Sequence, residues 1–246
     1  MERTLAKLAA GERTTIVAFG DSITELTFHT RGHQNWVGLL AEALFETYGH
    51  GVALVINAGK CGSSYAEGLT RLDRDVLRFA PDLVILAFGM NDAIRGVAGL
   101  PAFRDSVRTM VGRLRAGGAE VLLCTPNPVV TVHGLPLPAE QPAPGRPWEG
   151  PARPLAAYAR ALVELATELH CPVVDHYTAW TQRRFHVPHP VADPTGLWPR
   201  MGDAIHPGAL GHLAFFRELA PLFRVPRYFP WEDVAADAAD QRQTPS

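Results

Sequence analysis

The chain has 246 residues, 47% of them hydrophobic and 20% charged, which suits one α/β domain with a full buried core. Its net charge is -2, with Lys and Arg spread rather than clustered, which excludes the basic footprint of a nucleic-acid binder and the polybasic segment that anionic lipid attracts. Small neutral or sugar-like ligands fit this balance.

The first residues, Met1 to Arg13, carry Glu2, Arg3, Lys7, Glu12 and Arg13 around a short apolar stretch, without the uninterrupted apolar region and cleavage site of a secretory signal. No run approaches the length of a membrane span. The expected location is cytoplasmic, although a secreted chain already relieved of its signal reads the same way. Cys61, Cys124 and Cys171 cannot all pair with one another, and no C-x-x-C or zinc-ligand spacing occurs. They are expected to be reduced core thiols, with no structural metal.

Along the chain, short β-branched runs alternate with longer segments of helical period, the pattern of a parallel sheet covered on both faces. It predicts strands over Thr15–Phe19, Ala53–Asn57, Leu83–Ala87, Glu120–Cys124 and Pro172–Asp175. Helices are predicted over Trp36–Tyr48, Tyr65–Phe79, Pro101–Ala116, Leu155–His170 and Ala209–Leu219. The architecture is a five-stranded doubly wound sheet. Between the fourth strand and the next helix, Pro126–Pro151 holds eight prolines, a density that forbids regular structure and predicts a long stiff loop, either a wall of the crevice or a plain solvated connection. The tail from Pro221 to Ser246 is expected to pack back through Tyr228, Phe229 and Trp231 and to fray at its end.

In such sheets the ligand crevice lies beyond the carboxyl ends of the strands. Four segments fall there: Gly20-Asp21-Ser22, Ala58–Ser64, Gly89-Met90-Asn91-Asp92, and the stretch reaching Asp203 and His206. Of the five serines, Ser106 lies within a predicted helix, Ser246 is terminal, and Ser63 and Ser64 run into a helix. Ser22 alone directly follows a buried strand, where a Gly-Asp-Ser turn would expose its hydroxyl. It is either a nucleophile or the cap of the next helix. Thr24 stands where a G-x-S-x-G elbow needs its second glycine, which disfavours the α/β-hydrolase fold.

Among ten histidines, His206 is distinguished by Asp203 three positions before it and Pro207 after it. That spacing lets one turn bring the carboxylate to Nδ1 and leave Nε2 to face a serine, unless Asp203 only shapes the turn and His206 is exposed. The N–H of Gly62, the amide of Asn91 and the N–H of Ser22 could together hold an oxyanion, although Gly62 and Asn91 taken singly are ordinary turn residues.

Gly20-Asp21-Ser22, Asn57-Ala58-Gly59-Lys60-Cys61-Gly62, Gly89-Met90-Asn91-Asp92 and Asp203-Ala204-Ile205-His206-Pro207 together resemble the SGNH (GDSL) hydrolase family in order and spacing. The resemblance implies a flavodoxin-like α/β/α sandwich and no cofactor. It implies Ser22 as nucleophile, Gly62 and Asn91 as oxyanion donors with the Ser22 N–H, and His206 as base oriented by Asp203. Asp21 and Asp92 match the motifs but are expected to shape turns. Where many relatives are glycine-rich, Glu25-Leu26-Thr27-Phe28 stand here. Phe28, Arg31, His33 and Trp198 are therefore taken as candidate pocket residues, with Trp36 equally suited to the core.

The expected activity is hydrolysis of carboxylic esters of short acyl chains or acetate. The same residues would serve a carbohydrate O-deacetylase or an acyltransferase, and a non-catalytic binding module is the alternative of another class. His29 and His33, with His186, His189 and Asp193, raise a metal site, but Gly32, Pro188 and Pro190 give the ligands no supporting geometry. The expectation is no metal.

Overall fold

Five strands built largely from Val, Ile, Leu and Ala run parallel: β1 (Thr14–Gly20), β2 (Ala53–Asn57), β3 (Leu83–Ala87), β4 (Glu120–Cys124) and β5 (Val173–Val174). The computed structural model describes residues 1–129, 154–182, 200–203 and 205–225. Strand order is β2-β1-β3-β4-β5. Every residue of β3 is buried, as expected of a central strand covered on both faces.

Helices fill the crossovers. After β1 come α2 (Ser22–Glu25) and α3 (Trp36–Tyr48); α4 (Tyr65–Asp75) joins β2 to β3, α5 (Leu100–Ala116) joins β3 to β4, and α6 (Leu155–Glu168) precedes β5. Two more follow β5: α7 (His176–Gln182) and α8 (Ala209–Leu219). Helices α4, α5 and α6 pack side by side, while α3 packs against α8. The result is a three-layer α/β/α sandwich. Trp36 belongs to its core: fully buried, it meets Phe215 of α8 with ring centroids 5.3 Å apart.

The chain order β1 to β2 and then back across to β3 makes the junction of β1 and β3 the switch point, where loops leave in opposite directions and a crevice opens. This positions the site described below.

Three helices escape the sequence pattern. A further helix, α1 (Glu2–Ala9), precedes β1 and closes the amino-terminal end of the sheet, where Glu120 accepts from the Thr4 N–H at 2.8 Å and Lys7 meets Asp82 at 2.9 Å. Its eight residues are held by these long-range polar contacts, and a short helix is marginal without them. The helices α2 and α7 are shorter still, with four and seven residues, and Trp180 anchors α7 in the core.

Three predicted elements end or begin elsewhere, the helix expected through His170 stopping at Glu168. The helix expected through Phe79 ends at Asp75, since Val76 leaves helical geometry (φ -130°, ψ -63°) and a tight turn, Leu77–Phe79, follows. Apolar spacing continues across that break, so periodicity does not reveal it. The fifth strand is two residues rather than four, because only Val173 and Val174 pair with β4. Cys124 and Cys171 are buried free thiols as expected, whereas Cys61 is exposed beside the crevice rather than in the core. Of the Pro-rich segment only its beginning is described, and Tyr228, Phe229 and Trp231 also lie outside the described residues. No helix among the described residues is long and apolar enough to cross a membrane.

Candidate active site

At the end of β1, Gly20 passes so close to β3 and α2 that a Cβ would lie 2.5 Å from the Ala87 carbonyl oxygen and 2.1 Å from Thr24 Oγ1. A side chain there would block the turn. Asp21 then caps α2, its carboxylate accepting from the Ile23 N–H at 3.0 Å. The capping role that Ser22 could have filled thus belongs to Asp21. Ser22 is the first helical residue, and its Oγ lies 3.0 Å from His206 Nε2.

Burial pushes the Asp21 carboxyl up to about 7, against the opposing bond from Ile23 and the attraction of His206. A carboxyl raised above its unfolded value of 3.8 contributes stability below that pH, and the contribution is lost as pH rises through about 7. Asparagine caps equally well without a charge. Asp21→Asn is therefore expected to gain stability over the wild type as pH rises from 4 to 8, by up to about 3 kcal/mol. Urea midpoints taken across that range measure the gap; a constant gap would refute the raised titration.

His206 lies in a turn before α8 that Asp203 organises. One carboxylate oxygen accepts from the backbone N–H groups of Ile205 (2.7 Å) and His206 (2.6 Å), while the other faces His206 Nδ1 at 2.8 Å. Burial disfavours the charge on Asp203, but the bonds from His206 and Ile205 outweigh it and hold the carboxyl below its usual range. Pro207 bridges back to Met201 and fixes the turn's far side. A hydrogen-bonded chain thus runs from Ser22 through His206 to Asp203.

Gly62 and Asn91 reach the same cleft. Gly62 stands at φ +73°, a left-handed conformation that favours glycine, in the loop after β2. The Asn91 amide donates to the Ser63 carbonyl at 3.1 Å, which engages one of its two amide hydrogens and joins the two loops. Asp92 accepts from the Tyr65 N–H at 3.1 Å, tying the loop after β3 to the start of α4. Asp21 and Asp92 therefore shape turns, as expected from the motifs.

Beneath these loops lies Arg71, which the sequence reading passed over. Its guanidinium donates to the carbonyls of Gly20 (2.9 Å) and Ala58 (2.8 Å) and to Ser63 Oγ (3.4 Å), pairs with Asp75 at 3.1 Å, and sits 4.3 Å from the Phe19 ring centre. One buried side chain joins the ends of β1 and β2 to the loop bearing Gly62. Its place on α4 looks like that of any helical arginine in the sequence, so no local signal marks it.

The cleft has a volume of about 590 Å³ and is lined by Ser22, Gly62, Asn91, Asp203 and His206. Leu26, Phe28, Met90 and Ile205 contribute its apolar surface. Phe28 thus stands where it was expected, largely exposed at the mouth. Arg31 and His33 do not line the cleft: the turn Phe28–Thr30 closes with Arg31 left-handed (φ 52°), exposed to solvent, and Thr30 Oγ1 donates to the His33 carbonyl. Trp198, His186, His189 and Asp193 lie outside the described residues.

His29, considered in the sequence only as a metal ligand, faces His33 in no shared site. Its ring instead lies parallel to that of His206, with centroids 4.4 Å apart and planes 5° from coincidence. His29, Asp203 and His206 are close enough to hold a metal ion. Parallel stacked rings cannot both aim in-plane lone pairs at one ion, however, so the set would need a ring to turn.

Among curated proteins, "Esterase TesA" of Pseudomonas aeruginosa is 38% identical over 112 residues, covering 44% of this chain and 52% of its own length. "Arylesterase" of Vibrio mimicus is 30% identical over 108 residues, covering 44% of this chain and 52% of its own. The match thus spans about half the length of each relative. Among solved structures, a lipase/acylhydrolase from Enterococcus faecalis superposes with a TM-score of 0.63 at 25% identity, over 88% of this chain and 99% of that one. The acetylxylan esterase Axe2 from Geobacillus stearothermophilus gives 0.63 at 20% identity, over 85% and 94%, a likeness of fold. The profile of the GDSL-like lipase/acylhydrolase family matches residues 18–214, a span that contains every residue of the hydrogen-bonded chain and of the loops around it. This chain belongs to the GDSL-like lipase/acylhydrolase family.

Proposed function

We propose that the chain is a serine ester hydrolase acting on short acyl or acetyl esters through Ser22, His206 and Asp203. The observation that carries this reading is the continuous chain from Ser22 Oγ to His206 (3.0 Å) to Asp203 (2.8 Å) at the floor of an open cleft. Ser22 Oγ attacks the ester carbonyl while His206 Nε2 takes its proton. The C–O bond of the tetrahedral intermediate then breaks, His206 returns the proton to the leaving alcohol, and an acyl-enzyme forms. Water, deprotonated by His206, releases the acid and restores Ser22. Asp203 stays ionised, holds the tautomer with Nε2 free, and stabilises the imidazolium.

The tetrahedral oxyanion is received by the N–H groups of Ser22 and Gly62 and by the Asn91 amide. Each such donor contributes on the order of a hundredfold to a thousandfold in rate. The chemistry draws on no cofactor, and the protein is read as a single hydrolase domain. The free thiols Cys61, Cys124 and Cys171 support a reducing compartment such as the cytoplasm.

The apolar lining by Leu26, Phe28, Met90 and Ile205 favours an acyl ester over an acetylated sugar, whose hydroxyl groups would call for polar partners. A panel of p-nitrophenyl esters of rising chain length, set against acetylated xylooligosaccharides, tests this choice. The expected kcat/KM is highest on the short acyl esters. Faster release of acetate from the oligosaccharides would replace the acyl reading by carbohydrate O-deacetylation.

A further inference from the structure

We infer that His29 is a positioning residue whose ring, laid flat against that of His206, sets the plane from which Nε2 meets Ser22. The inference rests on the reading of Ser22, His206 and Asp203 as the reacting set. The imidazole of His206 is gripped at its two nitrogens, by Ser22 at 3.0 Å and by Asp203 at 2.8 Å. Both bonds act along the edge of the ring. They fix where the nitrogens lie, but they resist tilting of the ring out of its plane only weakly, because hydrogen-bond energy falls slowly with small angular error. A flat neighbour in van der Waals contact resists that tilt directly.

His29 is built to be such a neighbour. It belongs to the turn Phe28–Thr30, and Gly202 presses so closely on it that a Cβ at that glycine would come within 2.6 Å of the His29 Cβ. Phe28 meets its ring edge-on, with centroids 5.2 Å apart. Its Nδ1 lies 3.8 Å from Asp203 Oδ2, so the ring also borders the carboxylate that holds His206. Burial lowers the pKa of His29 and favours the neutral ring, which presents an electron-rich face to His206 when that ring becomes a cation. A charged neighbour would oppose the same step.

The plane of the base matters because proton transfer and attack require both partners in near-attack geometry, and small misplacements cost large factors in rate. The ring of His29 lines the cleft but makes no bond to Ser22, and it acts on the reacting hydroxyl through His206 and Asp203. Its effect therefore falls on kcat.

The test compares steady-state hydrolysis of p-nitrophenyl acetate by the wild type, His29→Ala, His29→Leu, His29→Phe and Ser22→Ala, each checked for folding by its thermal midpoint. Phenylalanine keeps a flat ring without nitrogens, whereas leucine keeps volume without a plane and guards against an alanine variant that fails to fold. The expected result is a fall in kcat of roughly tenfold to a hundredfold in the Ala and Leu variants, with KM changed by less than about threefold. His29→Phe should return to within about threefold of the wild type. A wild-type kcat in folded His29→Leu, a loss confined to KM, or a Phe variant as slow as the Leu variant overturns the inference. Activity surviving in Ser22→Ala would overturn the underlying reading instead. An inactive Ser22→Ala beside a fully active His29→Leu would sink the positioning role alone.

Discussion

Replacing Ser22 by alanine is expected to leave a folded protein that turns over p-nitrophenyl acetate at least roughly ten-thousandfold more slowly than the wild type. The fold should tolerate the change because the hydroxyl's partner is His206 and the cap of α2 is supplied by Asp21. Alanine is also a favourable residue within a helix. The urea midpoint should therefore move by less than about 1 kcal/mol in equivalent stability. Activity should collapse because no other serine in the described structure lies within reach of the His206 ring. Ser63 and Ser64 instead serve the loop and the cap of α4, where Ser64 accepts from the Glu67 N–H. A fluorophosphonate should label the wild type and not the variant. Undiminished hydrolysis by folded Ser22→Ala would remove Ser22 from the mechanism.

The second large effect is expected at Arg71. Substitution by methionine keeps an unbranched apolar stem near Phe19 but deletes the donors to Gly20, Ala58 and Ser63. It also strips Asp75 of its buried partner, although Arg74 still pairs with that carboxylate at 2.6 Å. The Gly20 carbonyl keeps the Lys60 N–H and the part-exposed Asp75 keeps Arg74, so the cost comes mainly from the buried Ala58 carbonyl and Ser63 hydroxyl left without this donor, about 2–4 kcal/mol. The consequence should extend to rate, because Gly20 leads into the turn that holds Ser22 and Ser63 follows Gly62. On the proposed mechanism, loosening both ends displaces the Gly62 N–H from Ser22, so kcat should fall further than KM rises. Chemical denaturation and steady-state kinetics read the two parts. A variant with wild-type stability and kcat would show that the hydrogen bonds of Arg71 are dispensable.

Particular residues show how far the sequence alone could be read. Four of the five strands are legible to within a residue at each end: β1, β3 and β4 are largely buried on both faces and leave a nearly continuous apolar run, while the edge strand β2, only partly buried, still carries the apolar run Ala53-Leu54-Val55-Ile56 between turns. The short fifth strand and the end of α4 at Asp75 were misjudged, since pairing and a single change of backbone geometry decide them. The residues that meet in the cleft, Ser22, Gly62, Asn91, Asp203 and His206, were all named beforehand because each follows a strand or closes a turn in a motif of fixed spacing. Of the pocket candidates Phe28 lines the cleft, while Arg31, exposed at the left-handed end of its turn, and the half-buried His33 do not.

Sequence by itself determined the class of fold, the family and the motif residues that meet in the cleft, since these depend on local periodicity and on short motifs. Tertiary structure decided which side chain caps α2, that Arg71 rather than any loop residue ties the strand ends together, and that His29 lies flat on His206. The cap is a contact between near neighbours that only the built turn reveals, whereas the other two join segments far apart in the chain: Arg71 and Gly20 are separated by 51 positions, and the Ser22–His206 bond that the His29 ring flanks spans 184. Nothing in the local pattern encodes which arginine is buried or which histidine is stacked. That choice is made only when the sheet brings the loops to one rim and packing excludes water from between them.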